Sequence, residues 1–96
     1  MLKLLTSTQF RKDIRKLSKS GSFDIDLLKE VIIKLENETI LDAMIHRPHK
    51  LKTNWKGYME CHVESMSSNW ILIYKIEEDE KILKLARTGT HSELFG

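Results

Sequence analysis

The apolar residues of this chain change their period once, and that change dictates the architecture. Up to residue 35 they recur at helical spacing. Phe10, Ile14 and Leu17 fall on one face, and Ile25, Leu28, Val31, Ile32 and Leu35 on another. From Tyr58 the period becomes two: Met59, Cys61 and Val63 alternate with Tyr58, Glu60, His62 and Glu64. Trp70-Ile71-Leu72-Ile73-Tyr74 is apolar on both faces, the mark of a central strand. Ile82 to Arg87 reads as the last strand, with Gly89 breaking it, and Met1 to Thr6 as a short first one.

Local signals place the boundaries. Ser7 or Thr8 can cap the first helix and Gly21 ends it, while Ser22 or Asp24 starts the second. So short a link predicts an antiparallel helix hairpin. Asn37 to Pro48 is irregular, with Ile40, Leu41, Ala43, Met44 and Ile45 suited to one more helical turn, and Ser65 to Asn69 reads as a flexible turn. The sum is β-α-α-β-β-β, an α+β class: one domain over 1–96, with a helix hairpin packed on one face of a mostly antiparallel sheet.

Composition narrows the class of function. No apolar run approaches the roughly 20 residues needed to span a bilayer, and no secretory leader is visible, so no membrane partner is expected. The single Cys61 excludes an internal disulfide, fits a reducing cytoplasm, and reads as a small core residue. Formal net charge is only +2, but it is unevenly spread. Arg11, Lys12, Arg15, Lys16 and Lys19 surround the lone Asp13. Arg47, Lys50, Lys52 and Lys56 lie near His46 and His49 with no acid among them. Such patches suit an anionic partner, most often nucleic acid, and Lys50, Lys52 and Lys56 are expected to bind substrate.

The histidines suggest chemistry. The sheet face that the helices leave open should carry Tyr58, Glu60, His62 and Glu64. His49 lies in the basic loop entering that strand, and His91 follows the last strand on a short polar exit segment. Hairpin topology would bring these three histidines to one concave surface, with His46 in solvent. A zinc site is not expected: Cys61 and His62 are adjacent and face opposite sides, and neither Cys-x-x-Cys nor His-Glu-x-x-His occurs. Neither a nucleophile elbow nor a Gly-rich phosphate loop is present, and no cofactor is expected. Several histidines among cations fit metal-free RNA cleavage. One imidazole takes the proton of a ribose 2′-OH, a protonated one protonates the leaving 5′-oxygen, and a fixed cation stabilises the phosphorane-like transition state.

His49-Lys50-Leu51, Trp55-Lys56-Gly57-Tyr58, Glu60-Cys61-His62-Val63-Glu64, Trp70 to Tyr74 and Arg87-Thr88-Gly89-Thr90-His91-Ser92-Glu93-Leu94-Phe95 occur in an order that resembles the YafQ-like branch of the RelE toxin superfamily. The likeness is close in the second half and extends to the first only in plan. It implies a ribosome-dependent mRNA endonuclease, the toxin of a bacterial toxin–antitoxin pair, whose partners are a cognate antitoxin, the ribosome and mRNA. It also implies that His49, His62, Arg87 and His91 are catalytic. His62 and His91 would transfer protons, His49 would share that work or hold the phosphate, and Arg87 would be the transition-state cation. Phe95 and Trp70 would contact substrate or support the site.

The chain departs from the pattern in three places. The family's Pro-Asp before the Trp is replaced by a longer segment ending in Asn69, Met59 stands where Arg is common, and Thr53 where Gly is common. Two other functions fit the same plan: a same-fold toxin that inhibits a topoisomerase, and a degenerate ribosome- or RNA-binding protein. The histidine cluster argues against the first, and the lost aspartate keeps the second open.

Overall fold

The structure is a computed structural model that describes residues 1–39, 46–64 and 69–95. The expected helical turn at Ile40 to Ile45 and most of the turn at Ser65 to Asn69 lie outside the described residues. Chain order is β1 (Lys3–Thr6), α1 (Thr8–Ser20), α2 (Ile25–Glu36), β2 (His49–Lys50), a 3-10 turn at Thr53–Trp55, β3 (Met59–His62), β4 (Trp70–Glu77), β5 (Ile82–Thr90) and α3 (His91–Phe95). Ser7 is the cap of α1, its Oγ accepting from the Phe10 N–H at 2.9 Å. Asp24 caps α2 by accepting from the Asp26 N–H at 3.0 Å. Each such cap is worth about 1 kcal/mol. Gly21 closes α1 at φ +71°, a conformation that costs glycine little.

The sheet order is β1-β5-β4-β3-β2. β1 runs parallel to β5, and every other pairing is antiparallel. Phe10 and Leu17 of α1 and Leu28, Val31 and Leu35 of α2 form one core with Cys61, Val63, Trp70, Leu72, Tyr74, Leu83 and Leu85. The alternating positions of β3 and β4, Glu60, His62, Ile71 and Ile73, therefore belong to the opposite face. Burial pushes the Cys61 thiol up to about 12, so it stays protonated and apolar in behaviour. Among the described residues no helix is long and apolar enough to cross a membrane.

Three local expectations are corrected. Gly89 does not break the last strand but pairs with Ile71 inside β5, which runs on to Thr90. A Cβ there would meet Glu93 Oε1 at 3.4 Å and Leu94 Cδ2 at 3.5 Å, so glycine lets the following helix fold back closely. His91 opens that helix, α3, rather than an irregular tail. His49 and Lys50 form a short edge strand, invisible as a pattern because two residues carry no period.

Candidate active site

Register builds the site. His49 pairs with Glu60, Glu60 with Ile73, and Ile73 with Arg87, making one row across the open face. The adjacent row holds His62, Ile71 and Gly89. β5 then turns directly into α3, which starts with His91. Its entry is held by the His91 N–H donating to the Asn69 carbonyl at 3.1 Å.

At the centre is Glu60, which the sequence pattern places on an exposed face and the structure buries to 2% exposure. One carboxylate oxygen, Oε2, lies 3.2 Å from His49 Nε2 and 3.1 Å from His91 Nε2. A buried carboxylate needs such partners, because desolvation without them is costly. His49 Nδ1 also lies 3.0 Å from the Arg47 carbonyl. Both nitrogens of His49 thus face oxygen acceptors. The nitrogen of His91 that faces Glu60 is Nε2; in the neutral ring that donates there, Nδ1 carries the lone pair. The His91 ring stacks against His62 at 6.1 Å between centroids, with 24° between planes, and packs on Phe95 at 5.5 Å.

His46 is buried, not in solvent. Its Nδ1 meets the His62 carbonyl at 2.7 Å, and the His62 N–H donates to the His46 carbonyl at 2.7 Å. It is a strut for His62. Arg87 is also supported from behind: Nε donates to Asp13 Oδ2 at 3.1 Å and Nη2 to Asp13 Oδ1 at 2.9 Å. That pair keeps the guanidinium charged, raising its pKa further. Nη1 lies outside the Asp13 pair, and the side chain is 27% exposed. Arg87 lies two strand spacings from Glu60, roughly 9–10 Å.

Of the two parts expected of Trp70, substrate contact or support of the site, its burial is compatible with support. Trp70 is 1% exposed, meets Phe23 edge-on at 5.0 Å, and donates from Nε1 to Thr88 Oγ1 at 2.9 Å. Since Thr88 N–H donates to Asp13 Oδ2 at 3.2 Å, Trp70 buttresses the same carboxylate that holds Arg87. Lys50, Lys52 and Lys56 line a groove of about 680 Å³ with Leu51, Thr53, Gly57, Tyr58 and Met59. The alternation that turns His49 to Glu60 turns Lys50 the other way, so this groove adjoins the histidines without joining them.

Sequence reasoning misses Glu60 and Asp13 as site residues. Each carries a signal: Glu60 alternates in phase with His62, and Asp13 is the single acid amid the cations of α1. Cysteine spacing and helical-histidine motifs also fail to show a possible metal site. The fold gathers one ligand atom each from Glu60, His62 and His91 within 4.8 Å of one another, from β3 and α3. Two imidazoles and a carboxylate suit a borderline transition ion such as zinc or copper.

Residues 2–96 match the family model described as bacterial toxin of type II toxin–antitoxin system, YafQ. The chain belongs to the YafQ toxin family. It is 42% identical over 90 residues to an Escherichia coli mRNA interferase toxin YafQ, covering 94% of this chain and 91% of that protein. Among solved structures it superposes on a metal-bound toxin from Helicobacter pylori with a TM-score of 0.87 at 40% identity, covering 99% of this chain and 100% of that one. The toxin of an E. coli DinJ–YafQ complex gives 0.81 at 40% identity, with both chains covered in full. The YafQ-like plan read from the motifs is thus the fold observed, and the helix hairpin and mostly antiparallel sheet hold across these relatives.

Proposed function

We propose that this chain is an endoribonuclease toxin that cuts mRNA on the ribosome, in the cytoplasm, by acid–base catalysis at the His49–Glu60–His91–His62 array. The shared Glu60 oxygen carries the reading. A buried carboxylate bridging two half-exposed imidazoles serves proton transfer, and an inhibitor that only docks does not need it.

The roles follow from the hydrogen bonds. His91, with Nε2–H held by Glu60, presents Nδ1 as the base for the ribose 2′-OH. The carboxylate orients the ring and stabilises the imidazolium that forms. His49 is the acid for the leaving 5′-oxygen, giving up the Nε2 proton as that nitrogen turns from Glu60 to the oxygen while Nδ1 stays on the Arg47 carbonyl. Both rings are about half exposed, so each can exchange its proton with water to reset after turnover. His62 stacks on His91 and fixes the angle of its ring. Arg87 lends Nη1 to the charge that grows on the phosphate. Phe95, beside His91 and 45% exposed, offers a stacking surface to a base. Lys50, Lys52 and Lys56 hold the backbone beyond the cut. Glu60 supplies to His91 the carboxylate that Asn69 cannot, so loss of the family aspartate does not make the site degenerate.

The partners follow from the charge and the family. A small antitoxin with acidic segments would mask the cationic faces, and the E. coli relative was crystallised in a DinJ–YafQ complex. The ribosome positions the message for a domain with little surface for RNA specificity.

Primer extension on mRNA bound to programmed ribosomes tests the reading. The intact chain should produce discrete stops and His91→Ala should lose about 10²–10⁴-fold in rate. Undiminished stops from a folded His91→Ala protein would overturn it.

A second reading concerns metals. The Glu60, His62 and His91 donors fit a borderline transition ion, and a relative was crystallised metal-bound. An ion there would take up the lone pairs that proton transfer requires. Added zinc or copper should therefore inhibit cleavage, and chelator should restore it; stimulation by either ion would reverse the assignment.

A further inference from the structure

We propose that Lys75 and Lys84 form a second phosphate subsite for the RNA strand, one row from the catalytic row on the open sheet face, with Glu77 as the counter-ion that the phosphate displaces. The proposal rests on the nuclease reading above.

Register carries the placement. Lys75 pairs directly with Lys84, and Ile73 of the catalytic row lies two residues from Lys75 on β4. Two residues along a strand advance about 6.6 Å and return to the same face. Tyr58, immediately before β3, completes the row: Lys75 Nζ lies 5.5 Å from its ring centroid. A cavity of about 180 Å³ lies along this row, with Leu5, Ser7, Tyr58, Lys84 and Ala86 in its lining. Ala86 is the bulged residue that β4 skips between Leu85 and Arg87. The bulge therefore joins the two rows at Lys84 and Arg87.

Charge carries the function. Like charges directly opposite on a sheet destabilise it. Here two ammonium groups share a single carboxylate oxygen, Glu77 Oε1, at 3.2 Å from Lys75 Nζ and 3.4 Å from Lys84 Nζ. The hydrogen bond from Lys75, more than that from Lys84, holds the Glu77 carboxyl below its usual range. The row keeps a net positive charge and two half-exposed donors. A phosphodiester entering between them gains two charge-assisted bonds and relieves the repulsion. A strand with its scissile phosphate near Arg87 would place a neighbouring phosphate at this row. Exposed lysine–glutamate pairs by themselves contribute little to stability, so a purely structural role leaves the like-charged pairing without a compensating gain.

The test uses full-length protein and two readouts. The first is binding of a labelled 2′-O-methyl RNA hexamer, which cannot be cut. Lys75→Ala and Lys84→Ala should each weaken binding several-fold. Each should also lower the slope of log affinity against log salt, by about 0.7 for every phosphate no longer neutralised. Glu77→Gln, which removes the competing anion, should tighten binding. The second is cleavage on programmed ribosomes, where the lysine variants should raise KM about tenfold and leave kcat within about twofold. Unchanged KM and salt slope in folded variants, with the unsubstituted chain still cutting, would sink this subsite alone. Weakened capture of an acidic antitoxin peptide with RNA binding unchanged would overturn it in favour of a protein surface. Absence of RNA cleavage by the unsubstituted chain would remove the nuclease reading and this inference together.

Discussion

Asp13 of α1 closes two hydrogen bonds on the guanidinium of Arg87, 74 residues away in sequence, at 3.1 and 2.9 Å. β1 ends at Thr6, so β5 has no strand neighbour beyond Leu85 among the described residues on that side, and the Asp13 carboxylate also takes the Thr88 N–H there. One buried side chain thus caps an open sheet edge and aims the proposed transition-state cation.

Asp13→Asn should therefore cost both stability and activity. An amide cannot accept both guanidinium bonds, and it leaves a buried polar group poorly matched. The loss should be about 1–3 kcal/mol, or about 4–8 °C in Tm per kcal/mol for a domain of this size. Cleavage should fall by up to about 10²-fold through misplacement of Arg87. Thermal melts and ribosome cleavage assays check both. Unchanged cleavage with a lowered Tm would confine Asp13 to a structural part.

Glu60→Gln tests the carboxylate that the two histidines share. The shape is kept, but the carboxylate that holds His49 and His91 is gone. Cleavage should drop by about 10²–10⁴-fold with circular dichroism unchanged. Activity near normal would show that the two histidines work independently of their shared oxygen.

The fold and much of the site are legible in the sequence for a physical reason. Period-3.6 and period-2 runs report which face is buried, and short connections give the antiparallel β3–β4 and β4–β5 pairs, whereas the parallel β1–β5 pairing joins the two ends of the chain and has no local signal. What is not legible depends on contacts between distant segments. His46 sits in a polar stretch that reads as solvent, yet its backbone and ring bracket His62. Glu60 alternates like an exposed residue but is roofed by two histidines from elsewhere in the chain. The departure at Thr53 acquires a meaning only in three dimensions. Its φ of +56° is strained for a β-branched side chain and would suit the glycine common at that position in the family.

His46→Ala should accordingly be far from silent. It removes a buried ring that meets the His62 carbonyl at 2.7 Å and leaves that acceptor without its imidazole partner. A loss of about 1–3 kcal/mol is expected, with slower cleavage as His62 and the stacked His91 shift. Denaturant titration and the cleavage assay measure the two effects. A variant as stable and active as the parent would remove the strut.

The last prediction concerns pH and the anchoring of α3. Glu93 Oε1 accepts from the Thr90 N–H and Oγ1 at 3.1 Å each, while Thr90 Oγ1 accepts from the Glu93 N–H at 3.2 Å, a reciprocal capping box. Its other oxygen pairs with Lys16 Nζ of α1 at 2.6 Å. The Lys16 bond first, then the Thr90 N–H, lowers the Glu93 carboxyl from 4.5 to about 2. Because the folded state holds the proton less tightly, the contribution is complete above the ordinary carboxylate range. It is lost as pH falls from about 4.5 towards about 2. The side chain is a third exposed, so solvent screening limits the effect to about 1 kcal/mol or less. Glu93→Gln keeps an acceptor for the box but drops the charge. Its stability deficit against the parent should be constant near neutrality and vanish by about pH 2, as read by urea denaturation across that range. Glu93→Ala should lose the box as well, letting His91 and Phe95 drift and slowing cleavage more than the Gln variant. A deficit that persists undiminished in acid would show that Glu93 acts through packing and not through its charge.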